Sequence, residues 1–188
     1  SEMCIRDRAV TRMAQPYARE LISRAAVGDE YALRRIIADH HEDMRRVCSY
    51  VIGDGAIADE AAQSAWVVVW KKIGSVRDPS RLRPWLISVA VNEAKQLVRT
   101  RRRRSRVEIT ADASTEPGGV DPATGIAAMD LRAALDRLDP DDRALLAMRY
   151  VAGFDSNELA LALGISPAGT RSRLKRLLDR LREDLTDG

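Results

Sequence analysis

The chain has 188 residues, of which 45% are hydrophobic, 31% charged and 4% aromatic, with a net charge of +3. That make-up describes a folded globular protein of one or two domains, and its wealth of Ala, Leu, Val and Arg leans all-helical. No run approaches the roughly twenty apolar residues of a membrane span, no secretory signal is visible, and two cysteines, Cys4 and Cys48, are too few for a disulfide framework or a metal set.

A reducing cytoplasm is the simplest compartment for such a chain. Ser1 to Arg8, SEMCIRDR, reads as the translation of a sequencing-library adapter, so residues 1–16 are set apart as disordered or artefactual. Tyr17 to Val27 then reads as a short helix closed by Gly28, and Asp29 is placed to cap the next one. Tyr31, Leu33, Ile36 and Ile37 give that helix an apolar face, which Met44, Val47, Cys48 and Val51 continue. His40 and His41 are adjacent and point about 100° apart on a helix, a poor arrangement for a shared metal. Gly53-Asp54-Gly55 is a break.

Ile57 to Trp70 is predicted as a helix despite its Val67-Val68-Val69 run, because the period before it is helical. Ile57, Ala61, Ala65 and Val68 make one stripe, with Trp66 and Trp70 beside it. Asp59, Glu60 and Gln63 share the wet side, as a solvated face or an acidic docking patch. Lys71 to Arg83 is a loop with five basic residues against Asp78. From Pro84 to Arg106 a packed helix turns into an arginine run, with seven basic residues against Glu93. Such clustering is a phosphate-binding surface or a solvated basic helix end. Trp66, Trp70 and Trp85, among apolar neighbours, are expected in the core.

Residues 105–129 change character. Pro117, Gly118, Gly119, Pro122 and Gly125 interrupt a stretch in which acids outnumber Arg106, and this predicts a flexible acidic linker. Beyond it Leu131, Leu135 and Leu138 fall on one helix face. Asp139-Pro140-Asp141-Asp142 starts a further helix with a cap, a proline at the first position and acids in the first turn. Asp155 and Glu158 are spaced as a capping box. A short helix follows, then Gly164, then a helix restarting at Ser166-Pro167: helix–turn–helix spacing. Arg171, Arg173, Lys175 and Arg176 lie in the early turns of that second helix, where major-groove contacts are made.

Both halves together resemble the extracytoplasmic-function (ECF) group of bacterial RNA polymerase sigma factors. The matching residues are Ala58-Asp59-Glu60-Ala61-Ala62-Gln63, then Trp66 and Trp70, then Trp85-Leu86, Asn92, Arg99 and the arginine run. In the second half they are Leu135 to Pro140, Glu158-Leu159-Ala160, Leu163 to Ser166 and Arg171-Ser172-Arg173-Leu174. The chain departs from the family where Ala168, Gly169 and Thr170 stand in place of Gly-Thr-Val. Gly169 there costs about 1 kcal/mol relative to Ala.

The resemblance implies an all-α fold of two helical domains joined by a flexible linker. Residues 17–104 would melt the promoter, hold the minus-ten element and dock on polymerase. Residues 105–129 would be the linker, and 130–188 a helix–turn–helix domain for the minus-35 element. It gives Asp59, Glu60 and Gln63 to polymerase docking. Arg77, Arg81, Asn92, Lys95, Arg99, Arg102 and Arg103 go to the minus-ten strand, which a positive groove with a pocket for an extruded base would hold. Asn92 is equally placed to bridge helices. Ser166, Thr170, Arg171, Ser172, Arg173, Lys175 and Arg176 go to the minus-35 duplex. Core RNA polymerase and promoter DNA are the expected partners, and an anti-sigma factor is a further one left open. No catalytic centre, cofactor, metal, small-molecule substrate or membrane insertion is expected. Two rival readings remain: a dimeric helix–turn–helix regulator that does not dock on polymerase, and a helical protein-binding decoy.

Overall fold

The computed structural model describes residues 16–108 and 126–186. Every regular element within them is helical. The first half comprises α1 (16–26), α2 (Glu30–Ile52), α3 (Gly55–Lys72) and α4 (Leu82–Glu108). The second comprises α5 (Ile126–Arg137), α6 (Pro140–Leu146), α7 (Ser156–Leu163) and α8 (Pro167–Thr186). The expected adapter-like N-terminus lies outside the described residues. So does most of the expected linker, although α4 runs through Glu108 and α5 begins at Ile126.

Aspartates start the helices. Asp29, Asp54, Asp139 and Asp155 each accept hydrogen bonds from backbone N–H groups of the first turn, which otherwise have no partner. Glu158 returns a bond to the N–H of Asp155, completing the capping box. Gly53 ends α2 in the left-handed region at φ 85°, and Gly164 makes the turn between α7 and α8 at φ 67°. The α6 helix does not continue regularly to Gly153: it widens into a π turn over Ala147–Val151.

The helices α2, α3 and α4 pack on one another. The α3 contribution is a stripe of small residues, Ala58, Ala61, Ala62, Ala65 and Val69, all buried. Alanine at these positions lets helix axes approach closely. Leu86, Ile87, Ala90, Val91 and Ala94 of α4 face this stripe's side of the core. Val68 is only half-buried, so the stripe is displaced by one residue from the expected one. Tyr31, expected on the buried face of α2, is 67% exposed, with the Arg24 guanidinium 6.0 Å from its ring centroid. Cys48 is buried, donates its thiol to the Ala90 carbonyl, and has its pKa pushed up to about 12 by burial with a further contribution from Glu93.

The tryptophans split. Trp66 and Trp85 are half-buried against the core, whereas Trp70, in the last turn of α3, is 52% exposed, contrary to expectation. The Trp66 indole N–H donates to His41 Nδ1 at 3.1 Å. That bond gives His41 a structural role no sequence pattern suggested. The second half builds its own core from Leu145, Met148, Phe154, Leu159, Leu177 and Leu181, and α6 also packs on α2 and α4. The apolar core is therefore continuous across both halves.

Candidate nucleic-acid interface

One face of α4 carries Asn92, Lys95, Gln96, Arg99, Thr100 and Arg103, at the three- and four-residue steps that align side chains on a helix. They line an open cleft of about 440 Å³. The opposite face is fixed by the burial of Leu86, Ile87, Ala90, Val91, Ala94 and Val98. Of these six cleft residues, Asn92, Lys95, Arg99 and Arg103 were expected from the sequence. Gln96 and Thr100 were missed, although their steps from Asn92 would have found them. Arg102 is exposed on the same basic turns.

Two short 3₁₀ turns, Ile73–Ser75 and Pro79–Arg81, lead into this helix. Asp78 caps the second by accepting from the Ser80 N–H and hydroxyl, and these bonds hold its carboxyl below the usual range. Arg77 and Arg81 are exposed, with Arg81 reaching Asp78 at 3.6 Å. Arg83 is directed elsewhere: its Nε donates to Asp43 at 2.9 Å and its Nη1 to the Ala152 carbonyl at 3.0 Å.

In α8 the Ser166 hydroxyl accepts from the Gly169 N–H at 3.0 Å, and Ser166, Arg171, Ser172, Lys175 and Arg176 are exposed along the start of the helix. Leu177 and Leu181 face inward. Two expected contact residues differ. Thr170 is fully buried, its hydroxyl satisfied by the Ser166 carbonyl at 3.1 Å, so it is not presented to a ligand. Arg173 is half-buried and donates to Asp142 Oδ1 at 2.9 and 3.3 Å, while Arg180 donates to Asp142 Oδ2 at 2.6 Å.

Asp59, Glu60 and Gln63 are exposed together on the outer side of α3. Glu60 lies 3.6 Å from Arg101 of the arginine run. The cleft on α4 is also engaged from across the molecule. Asp141 of α6 meets Lys95 at 3.1 Å and Arg99 at 2.6 Å. Burial alone would raise the Asp141 pKa. The hydrogen bond and charge of Lys95 and the charge of Arg99 outweigh it, and the carboxyl is held below its usual range.

Among the described residues every regular element is helical, and exposed cations on α4 and at the start of a helix–turn–helix are what a nucleic-acid-binding protein presents. Residues 36–104 match the model for sigma-70 region 2, and residues 128–181 match that for sigma-70 region 4. The RNA polymerase sigma factor CarQ of Myxococcus xanthus is 29% identical over 160 residues, covering 83% of this chain and 90% of the relative. The ECF sigma factor SigL of Mycobacterium tuberculosis is 29% identical over 170 residues, covering 88% and 96%. Two solved structures share the fold. CnrH, in complex with the cytosolic domain of CnrY, has a TM-score of 0.65 at 23% identity over 90% of this chain and 97% of that one. The sigma factor RpoE of Bartonella quintana, in complex with the anti-sigma factor NepR, has a TM-score of 0.65 at 21% identity over 81% and 96%.

The chain belongs to the sigma-70 family, in its ECF group. As a sigma factor it binds core RNA polymerase and promoter DNA and directs transcription initiation. Among the described residues no helix is long and apolar enough to cross a membrane.

Proposed function

We propose that the two basic surfaces divide promoter recognition between them. Residues 17–104 melt the promoter and hold the minus-ten strand, with Arg77 and Arg81 at the loop and Asn92, Lys95, Arg99, Arg102 and Arg103 along α4. Gln96 and Thr100 join them as hydrogen-bonding groups of the same cleft. Residues 130–188 bind the minus-35 duplex through Ser166, Arg171, Ser172, Lys175 and Arg176, with 105–129 as the linker. Asp59, Glu60 and Gln63 dock on polymerase. The observation that supports this reading is the α4 cleft, where two amides, a hydroxyl and three cations line one open space of about 440 Å³, the mix of groups that suits a nucleic-acid strand. The chain has no catalytic role of its own in this reading, and it acts in the cytoplasm where its polymerase works.

An anti-sigma factor fits the same reading. One solved relative is bound to such a partner. Here a groove of about 260 Å³ lined by Tyr50, Leu131, Leu135, Leu146, Tyr150 and Leu178 offers apolar surface for one.

Reconstitution tests the proposal. The protein is mixed with core RNA polymerase and a promoter library, and the transcripts are sequenced. Specific start sites preceded by two shared elements are expected, and Asn92→Ala should change the downstream element without abolishing polymerase binding. A folded protein that yields no specific starts contradicts the reading.

A further inference from the structure

We propose that His41 is a positioning residue for polymerase docking: by accepting a hydrogen bond from the Trp66 indole it steadies the stripe of α3 that carries Asp59 and Gln63, and its protonation frees that stripe and weakens docking. The proposal rests on the assignment of Asp59, Glu60 and Gln63 to polymerase.

Asp59, Gln63, Trp66 and Trp70 fall at steps of four, three and four, so they share one stripe of α3. Asp59, Gln63 and Trp70 are exposed, and Trp66 is the half-buried member through which the stripe meets α2. Its indole Nε1–H donates to His41 Nδ1 at 3.1 Å. Arg45 stands one turn further along α2. It forks onto Glu42 at 2.8 and 2.9 Å, and its raised pKa, set first by that bond, also reflects the charge of Asp59. Two consecutive turns of α2 therefore flank the docking stripe, with His41 at Trp66 and Arg45 near Asp59.

A bond into Nδ1 requires a neutral ring with its proton on Nε2. Protonation puts a second donor against the indole N–H, so the bond is lost and two donors face each other. A half-buried N–H left without a partner favours any rearrangement that returns it to water. For Trp66 that rearrangement turns the α3 stripe, and the docking side chains move with it.

The charged groups facing the pair are Glu42, Arg45 and Arg46 of α2 and Asp59 of α3, while Arg83 of α4 is turned to Asp43. The Glu42 carboxyl is held below its usual range, first by its bond from Arg45 and further by the charges of Arg45, Arg46 and His41, which outweigh its partial desolvation. Glu42 therefore stays ionised where an imidazole gains its proton, and His41 is the neighbour that switches.

The test measures binding of the full chain to core RNA polymerase at about pH 8 and about pH 5.5, a span over which imidazoles change charge. Variants are compared at equal pH, so titration of the polymerase cancels. Asn places Oδ1 as far along its side chain as His places Nδ1, and its helix propensity is similar, so His41→Asn keeps the acceptor without the switch. His41→Phe keeps a ring and removes the acceptor. At about pH 8, His41→Asn should bind like the unmodified chain and His41→Phe roughly five-fold weaker, a factor on the scale of one hydrogen bond. At about pH 5.5 the unmodified chain should fall toward the affinity of His41→Phe, while His41→Asn stays roughly five-fold tighter than His41→Phe. His40→Gln should respond to pH like the unmodified chain, because the indole bond is made by His41.

A second measurement needs no polymerase and remains decisive if His41→Phe fails to fold. In ¹⁵N-labelled protein the Trp66 indole resonance should move with pH in the unmodified chain and hold still in His41→Asn. An indole resonance that ignores pH in both would overturn the proposal. Equal pH responses of polymerase binding in the unmodified chain and His41→Asn would do the same. Asp59→Ala tests the assignment beneath the proposal and should weaken polymerase binding at both pH values. If it does not, the docking face lies elsewhere and the proposal falls with that assignment. If it does, and His41→Asn still follows the unmodified chain, the positioning role alone is wrong.

Discussion

Asp142 lies beneath Arg173, its side chain 8% exposed, and accepts two bonds from that guanidinium while Arg180 takes its other oxygen. A carboxylate this covered needs both cations. Arg173 therefore serves the fold of the second half as well as any DNA it meets. Replacing Asp142 by Ala should destabilise this half by about 2 kcal/mol, the scale of a charged hydrogen bond. Arg173→Ala should cost about half of that, since Arg180 remains. Urea denaturation checks both. If Arg173→Ala loses DNA binding with no loss of stability, the Asp142 contact is incidental.

Arg171, Lys175 and Arg176 stand apart from Arg173, because each is exposed and makes no ion pair among the described residues. Alanine at any one should leave the unfolding midpoint unchanged. Each loss should also reduce the slope of log affinity against log salt by about 1, if the cation meets a phosphate. A residue that instead reads a guanine edge should relax sequence preference and cost about 1–3 kcal/mol. Binding to minus-35 duplexes over a salt series separates the two roles.

The helices were legible because their ends are written locally. Asp29, Asp54, Asp139 and Asp155 sit where caps are needed, and Gly53 and Gly164 where the chain must turn left-handed. The cation positions were legible for the same reason, since a basic face needs only helical spacing. Contacts between distant segments were not. Asp141 and Arg99 are 42 positions apart, and nothing in either local pattern announces that they meet. Thr170 was misread because its hydroxyl turns back to the carbonyl four residues earlier, which lets a polar side chain be buried. Trp70 was misread because its period matched Trp66, while α3 ends only two residues after it.

Gly169 is explained by its neighbour. A Cβ at this position would stand 3.2 Å from the Ser166 hydroxyl oxygen, the group that caps the helix. Alanine favours the helix interior by about 1 kcal/mol over glycine, but here it would crowd the cap. Gly169→Ala alone should change stability by less than about 0.5 kcal/mol, the gain being offset by a strained cap. With Ser166→Ala already present, the same substitution should stabilise by about 1 kcal/mol. A double-mutant cycle measures the difference, and simple additivity would refute the steric account.

His40 links the fold to pH. It is half-buried, and its pKa is lowered from the ordinary 6.5, first by burial and then by Arg83, against the opposing influence of Asp39 and Asp43. The unfolded chain takes up a proton near 6.5, whereas the folded chain resists it to a lower pH. Between the two values the unfolded state holds more protons. The contribution of His40 is therefore complete above 6.5 and declines as pH falls below it, down to the lowered value. Denaturation midpoints measured between about pH 5 and about pH 8 should fall on the acid side for the unmodified protein. They should fall less steeply for His40→Gln, which keeps a polar side chain of similar size without the proton. The carboxylates Asp78 and Asp141 do not compete over this range, because both are held below their ordinary 3.8. An equal acid-side slope in His40→Gln would assign the loss to another group.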